Sequence, residues 1–546
     1  MLQELKAKFQ RLLQQHHITK HMIKVYFSCY VILVPSGLII TMIFPYLLFM
    51  VEFLLPDVEH RNIGKYSGFL ASSMYFGGMC SSYFWGWLAD KHNKKTILMY
   101  SGICMAFSSF FFGFSINFYM AVIFRFLTGL SNGIVVNVKA IISEHSDDVN
   151  QGFGMSLVIA LWDASIVFGP AISGVLADPV GQYNLSSNSF LEKFPYCLPN
   201  MFTALLCVLG VVTVGCLLPD KPEHNDDEAT TAQSTENSPS CERVDTSDGI
   251  ELEPLADNTK QKSSTDGLSY KELLSKEEIE NTITMEDLLV SDSDAIVDRK
   301  VTPIPGIKSK YLHARKEVIS GCQVFINLIK DKVTVGAVLL WGVFAFGVIG
   351  FEECSALWSA TDKSLGGLGF SPHDIGTVLG IAGLLLVPVS MIVFIPFEKK
   401  FGALMTFHIH MAFVILLLPI FPSFTYIDNA VLLWILLGTF SVIIRVAINN
   451  CFVCESLFLN NSVTPDKLGI ANGLANTVTN VFQVFSPVLF GTLYSLSLSD
   501  TAQDIGFPFD FHLTFILLSF VFFLTMTLVA FFPKRLDQQT LNNEIQ

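Results

Sequence analysis

Stretches of about 20 mostly apolar residues, the length a helix needs to cross a bilayer, recur along this sequence. They fall near residues 27–51, 67–88, 96–115, 118–142, 153–177 and 199–218, and again near 333–358, 373–396, 403–422, 430–458, 470–496 and 511–532. Inside lipid a backbone must satisfy its own hydrogen bonds, so runs of this length fold as helices. Apolar residues make up 51% of the 546 and charged residues only 15%, too little polar surface for a soluble protein of this size. The expected fold class is an all-α membrane protein with 12 transmembrane helices in two six-helix halves.

The same pattern sets the expected domains. Residues 1–24 form a cytosolic N-terminal segment, with Lys6, Lys8, Arg11, Lys20 and Lys24 on an amphipathic pattern. No small-residue cleavage site follows a short apolar core, so this reads as a lead-in helix and not a signal peptide. Residues 25–218 form the first six-helix bundle, 333–533 the second, and 534–546 a cytosolic tail. Between the bundles, 219–332 is an acidic cytosolic loop with too few large apolar residues to close a core, hence largely disordered, and it ends in a basic amphipathic segment.

The formal net charge of −14 is local to that loop, where acidic residues crowd between Asp220 and Asp298. No nucleic-acid partner is expected; the partners are the lipid bilayer and a small-molecule substrate, and the chain reads as a monomer. The eleven cysteines are scattered. Cys451 and Cys454 form a C-x-x-C inside an apolar run with no second pair, so buried thiols are expected there and no metal site. No nucleophile–base pair, phosphate loop or metal quartet is present, so the chain is not expected to be an enzyme or to hold a cofactor; a proton gradient is the expected driving force.

Cytoplasmic loops collect Lys and Arg. Twelve crossings with both termini cytosolic put Asp90 to Lys95, Glu398 to Lys400 and Lys534-Arg535 inside, leaving few cations such as Arg61, Lys65, Lys193 and Lys363 outside. The sequon Asn184-Leu185-Ser186 then falls outside and is expected to be glycosylated, whereas Asn460-Asn461-Ser462 falls inside. The membrane is the plasma membrane or a vacuolar or lysosomal one.

An internal repeat supports two halves. Gly469 stands 317 residues after Gly152, and Pro487 the same 317 after Pro170. Many transporters are built from such duplicated bundles, with the site between them near the midplane.

Three motifs occur in order. Gly86 to Lys95 has the form G-x-L-a-D-[RK]-x-x-[RK]-[RK]; Arg125-Phe126-Leu127-Thr128-Gly129 lies in the fourth run; Gly169-Pro170-Ala171-Ile172-Ser173-Gly174 lies in the fifth. They resemble the signature motifs of the drug:proton antiporter-like branch of the major facilitator superfamily. A narrower likeness is to the zinc-induced facilitator-like group. It is carried by Phe44-Pro45-Tyr46, Lys139-Ala140 with Glu144, Lys193 to Pro199, Glu353 with Leu357-Trp358, Asn461 to Pro465, Gly469 to Gly473 and Ser486-Pro487. Asn93 stands where the loop motif usually has glycine, Lys91 where it usually has arginine, and Asp163 where the group usually has a small residue.

The resemblance implies a major facilitator fold and roles for particular residues. Asp90 would dock on the start of the eleventh span, where a helix dipole favours a carboxylate, with Lys94 and Lys95 in the same gate. The Gly169-Pro170 step would bend the fifth span at the interface between halves. Arg125 would face the central cavity, about 10 Å below the outer face at 1.5 Å per residue.

An ionisable side chain within a span costs roughly 2.5 to 3.5 kcal/mol, so it needs a partner, a watery cavity or a function. Asp163 has the residue type for proton coupling, with a hydrogen-bonded span contact as the other reading. Glu353 is the expected second carboxylate, and Lys139 with Glu144 is expected to meet substrate or lock the inner gate. Arg445 and Glu455 are weaker candidates, expected to form an inner-end ion-pair network. The function expected is secondary active transport of a small polar or charged solute by alternating access, as proton-coupled antiport. The alternatives are a uniporter of an organic solute and a non-transporting sensor or scaffold acting through the central loop.

Overall fold

A computed structural model describes residues 19–146, 148–183, 190–219, 328, 330–464 and 467–537. Nearly all of the central loop, most of the N-terminal segment and the sequon at Asn184 lie outside these residues. So do the side chains of Asp90 and Asp163, whose backbones are described.

The first crossing is two helices, α1 (Lys20–Thr41) and α2 (Leu47–Leu54), separated by a single 3-10 turn at Phe44–Tyr46. Pro45 sits in that turn and, lacking an N–H, cannot continue the helical ladder. Crossings two and three are α3 (Ile63–Lys91) and α4 (Lys94–Gly113), with the Asn93 side chain accepting from the Lys95 backbone N–H at 3.0 Å to start α4. The fourth is broken into α5 (Phe118–Leu130) and α6 (Ile134–Glu144). At the break a Cβ on Gly133 would meet the Trp85 ring at 2.5 Å, so only glycine lets α6 approach α3 there. The fifth and sixth are α7 (Asp148–Leu176) and α10 (Cys197–Leu217), joined through the short helices α8 (Pro179–Tyr183) and α9 (Phe190–Lys193).

The later crossings begin with α11 (Lys332–Ala360). Next, α12 (Pro372–Leu417) is far too long for one crossing and reverses at Gly402, whose φ of 77° no L-residue adopts easily. The Phe397 and His410 rings, 13 positions apart, lie 5.5 Å from each other across that reversal. It follows that α12 supplies crossings eight and nine. The remaining crossings are α13 (Ala430–Ser462), α14 (Leu468–Ser497) and α16 (Leu513–Ala530), with the short α15 (Asp500–Ile505) between the last two.

Among the described residues, eight of these stretches are long and apolar enough to span a membrane by composition alone. The crossings that fall short are α3 and α14, and these two helices meet across the molecule. Their polar faces touch protein, so they need no continuous apolar surface.

Two seams join the first six crossings to the last six. Along α3 and α14, a Cβ on Gly68 would lie 2.2 Å from the Pro487 carbonyl oxygen, and one on Gly491 would lie 2.4 Å from that of Gly64. Ser72 donates to the Val484 carbonyl at 2.7 Å, and Arg61 pairs with Asp500 at the rim. That ion pair, through the hydrogen bond and the charge of Asp500, raises the Arg61 guanidinium above its ordinary range. Along α7 and α12, a Cβ on Gly376 would meet the Gly174 Cα at 2.6 Å and the Pro170 carbonyl oxygen at 2.9 Å. Pro170 and Pro487, the repeat-related pair, therefore each turn a carbonyl toward a glycine of the opposite half.

Both tight ends lie toward one face, called here the opposite face. The other, basic face carries Lys94, Lys95, Lys399, Lys400, Lys534 and Arg535 at the helix ends and turns.

The start of α11 is held by Asp331, which accepts from the Thr334 hydroxyl at 2.7 Å and from the Val333 and Thr334 backbone N–H groups at 3.3 Å each. Burial pushes this carboxyl up, but the Thr334 and backbone hydrogen bonds and the Arg535 charge outweigh it and hold the group below its usual range. A depressed carboxylate stabilises the fold above its unfolded value and loses that contribution as pH falls through the folded value. Asp331→Ala is expected to cost about 1 kcal/mol. Unfolding midpoints in detergent at pH 7 would read the loss, and the gap to wild type should close below about pH 4.

Candidate functional site

Arg125, on α5, is 3% exposed. Because α1 ends at Thr41 in the middle of the molecule, the Leu38 carbonyl accepts from the Met42 N–H but those of Ile39 and Ile40 have no helical partners. Arg125 caps them: Nη1 donates to the Ile39 carbonyl at 2.9 Å and Nη2 to that of Ile40 at 3.3 Å. The guanidinium stands 5.6 Å from the centre of the Phe112 ring, and its Nε is buried without a partner. Among the described side chains no carboxylate pairs with it.

On α3 the Tyr75 hydroxyl is buried, makes no hydrogen bond, and lies within electrostatic reach of Arg125 from its own half and of Glu353 and Glu352 from the other. Glu353, on α11, is 0% exposed, and neither carboxylate oxygen has a partner. Its neighbour Glu352 takes the Arg445 guanidinium in a two-point ion pair, Nη2 to Oε2 at 2.8 Å and Nη1 to Oε1. Both members of that pair keep about one sixth of their side-chain surface, 17% and 16%.

The pairing corrects one sequence expectation. Arg445 and Glu455 do not form an inner-end ion-pair network; Arg445 reaches across to Glu352, while Glu455 is 1% exposed with both oxygens unpartnered. Ten positions along α13 place these two side chains about 15 Å apart in rise, too far for contact. Glu352 is not among the sequence candidates, and on a helix its side chain points about 100° from that of Glu353. Arg445 was the available signal, since a guanidinium inside a span demands an anion.

Sequence reasoning also missed a buried polar chain beside Arg445. Asn449, one turn further along α13, donates to the Ser390 hydroxyl at 2.8 Å. Asn450 Nδ2 meets His410 Nε2 at 2.9 Å, and His410 Nδ1 meets the Thr406 carbonyl at 2.8 Å. An amide nitrogen only donates, so Nε2 accepts and the imidazole is the neutral Nδ1–H tautomer.

At the basic face Lys94, expected in the gate, pairs with Glu144, expected to meet substrate or lock the inner gate. Lys139 is exposed on α6, and Lys95 is partly buried. Asp90 lies in the last turn of α3. Pro170 cannot donate to the Ile166 carbonyl, and the Thr41 hydroxyl of α1 does so at 2.6 Å. A Cβ on Gly169 would meet that same hydroxyl oxygen at 2.5 Å, so the Gly-Pro step lets α1 sit against α7. The helix runs unbroken through it.

Two broken helices, a buried arginine and a sealed carboxylate on facing bundles make up this interior. The major facilitator superfamily model matches residues 27–487, and the chain belongs to that family. It is 26% identical over 496 residues to the Arabidopsis thaliana protein Zinc Induced Facilitator 1, covering 90% of this chain and 88% of that one. It is likewise 25% identical over 510 residues to Zinc Induced Facilitator-Like 1 of the same plant, covering 92% and 90%. An Aspergillus fumigatus multidrug transporter of the superfamily is 26% identical, covering 84% and 76%. Among solved structures, a D-xylose–proton symporter superposes with a TM-score of 0.60 at 14% identity, covering 95% of this chain and 100% of the other. A bacterial homologue of the lysosomal transporter Spinster gives 0.60 at 10% identity, covering 94% and 96%. The expected fold class and the kinship with zinc-induced facilitators therefore hold, and the chain is a multi-pass membrane transporter.

Proposed function

We propose that this chain is a secondary active transporter that exchanges a small polar or charged solute for protons by alternating access, with Glu353 as the proton-carrying carboxylate. The observation that carries this reading is Glu353 itself. An ionised carboxylate sealed from water without a partner costs several kcal/mol, so the group is neutral while the opposite face is shut. Opening of the seams would let water in and the proton out. Tyr75 reaches the neighbourhoods of both Arg125 and Glu353, which supports a shared space between the bundles where solute and proton compete.

Arg125 and the Arg445–Glu352 pair offer both signs of charge to a solute. Asp163 belongs to the same proposal as a second protonatable group on α7. Lys94 with Glu144 is read as the brace that positions the loop after Asp90 at the cytosolic gate, and the positive-inside rule supports taking the basic face as cytosolic. Glycosylation at Asn184 would follow from that orientation.

Purified protein in proteoliposomes with an imposed pH gradient tests the reading. The solute is chosen first by a thermal-shift screen of amino acids, polyamines, organic acids and metal chelates, since a true ligand stabilises by RT ln(1 + [L]/Kd). Accumulation of the screened solute should rise with the gradient and collapse when an ionophore dissipates it. A rate indifferent to the gradient would leave a uniporter.

A further inference from the structure

At the opposite face a cavity of about 550 Å³ straddles one of the two seams. Its walls come from both halves: Phe49 on α2, Asp178, Tyr183 and Tyr196 around α8 and the start of α10, and Ser371 to His373 at the start of α12. The size suits a small organic molecule. It lies beside the glycine contact that closes the seam, where a Cβ on Gly174 would meet the Pro372 carbonyl oxygen at 2.7 Å.

The walls are tied down. The Tyr183 hydroxyl donates to the Val175 carbonyl at 3.0 Å, and the Tyr196 ring stacks on that of Tyr46 at 5.3 Å. Asp178 is held with a φ of 43°, its N–H bonded to the Pro195 carbonyl at 2.9 Å, and its Oδ1 accepts from the Gly181 N–H at 3.1 Å. Among the described residues no cation pairs with this carboxylate, so its second oxygen is available to a ligand. Aromatic faces beside a carboxylate attract an organic ammonium ion through the ring quadrupole and the charge together. A bare metal ion is poorly served, because no group of three or more His, Cys, Asp or Glu able to hold one occurs among the described residues.

We infer that this cavity is a binding site for a small organic ammonium ion, formed only when the two halves meet at the opposite face. An ion bound there touches Asp178 and the aromatic rings of one half and the start of α12 in the other, so it holds that seam closed. The inference concerns a second site, away from Arg125 and Glu353, and stands without the proton-coupling proposal.

Binding of radiolabelled benzyltrimethylammonium to the full-length protein in lipid nanodiscs, with no gradient and no transported solute, tests it. Asp178→Asn keeps the fold, since asparagine tolerates a positive φ and its carbonyl oxygen still accepts from Gly181. That variant should bind at least tenfold more weakly. His373→Lys, which places a fixed cation at the mouth from the other half, should do the same. Gly68→Val leaves every wall residue intact but blocks closure, and it should weaken binding at least fivefold. Undiminished binding in Asp178→Asn, equal binding of neutral benzyl alcohol, or no saturable binding to wild type would each overturn the site. Undiminished binding in Gly68→Val would overturn its dependence on closure, and loss on Glu353→Gln alone would move the ligand to the interior site.

Discussion

Glu353→Gln is expected to abolish gradient-driven accumulation while leaving solute exchange in place. Glutamine has nearly the same shape and carries no titratable proton, so it mimics the neutral carboxyl without being able to release it. The side chain is fully buried with no hydrogen bond to either oxygen, so the substitution breaks no contact and the fold should survive. Accumulation in proteoliposomes under an imposed pH gradient should fall at least tenfold, to the equilibrium level. Counterflow of labelled for unlabelled solute, which needs no net proton movement, should stay within a few-fold of wild type. Accumulation at the wild-type level would remove Glu353 from the coupling step; loss of both activities would mean that the residue serves packing or solute binding instead.

The second large effect concerns the seam between α3 and α14. Gly68→Val places a branched side chain where even a Cβ would sit 2.2 Å from the Pro487 carbonyl oxygen and 2.8 Å from its carbon. Those are backbone atoms beside a proline and cannot swing away. Overpacking of this kind costs about 1 to 3 kcal/mol, and 1.4 kcal/mol is a factor of ten in an equilibrium, so the closing equilibrium at the opposite face should shift about 5- to 140-fold toward open. Net transport should fall in proportion. A cysteine placed at Ser72, buried at 5% exposure in the closed seam, should become reactive to a water-soluble maleimide added from that side. Gly78→Ala is the control, because its nearest foreign atom would be the Gly129 carbonyl oxygen at 3.9 Å. Wild-type turnover and an unreactive cysteine in Gly68→Val would refute the seam as a moving contact.

The crossings were legible because hydrocarbon imposes one rule on every segment, and apolar length alone carries it. Two of the least apolar runs, α3 and α14, line a seam, so weakness in the hydropathy signal there marked location and not absence of a span. Pro170 and Pro487 announced the duplication by their common offset. What could not be read was which residues meet across it. Nothing local to Gly68 or Gly376 says that each seats against a proline carbonyl hundreds of positions away. The reach of Arg445 to Glu352 depends on how α11 and α13 turn about their axes, which a shift of one residue rotates by about 100°. The eighth and ninth crossings were read as separate runs, and they join through Gly402 without a loop because a positive φ makes the reversal in a single residue.

The capping of α1 by Arg125 constrains what the interior can accept. An anionic solute that draws the guanidinium toward itself strips the donors from the Ile39 and Ile40 carbonyls and leaves two acceptors bare in a dry environment. A molecule that carries only negative charge cannot repair that deficit, whereas one with an amino or hydroxyl group beside its carboxylate can hand back the missing hydrogens. Selectivity for bifunctional solutes would then reside in the frayed end of a helix as much as in any charged side chain.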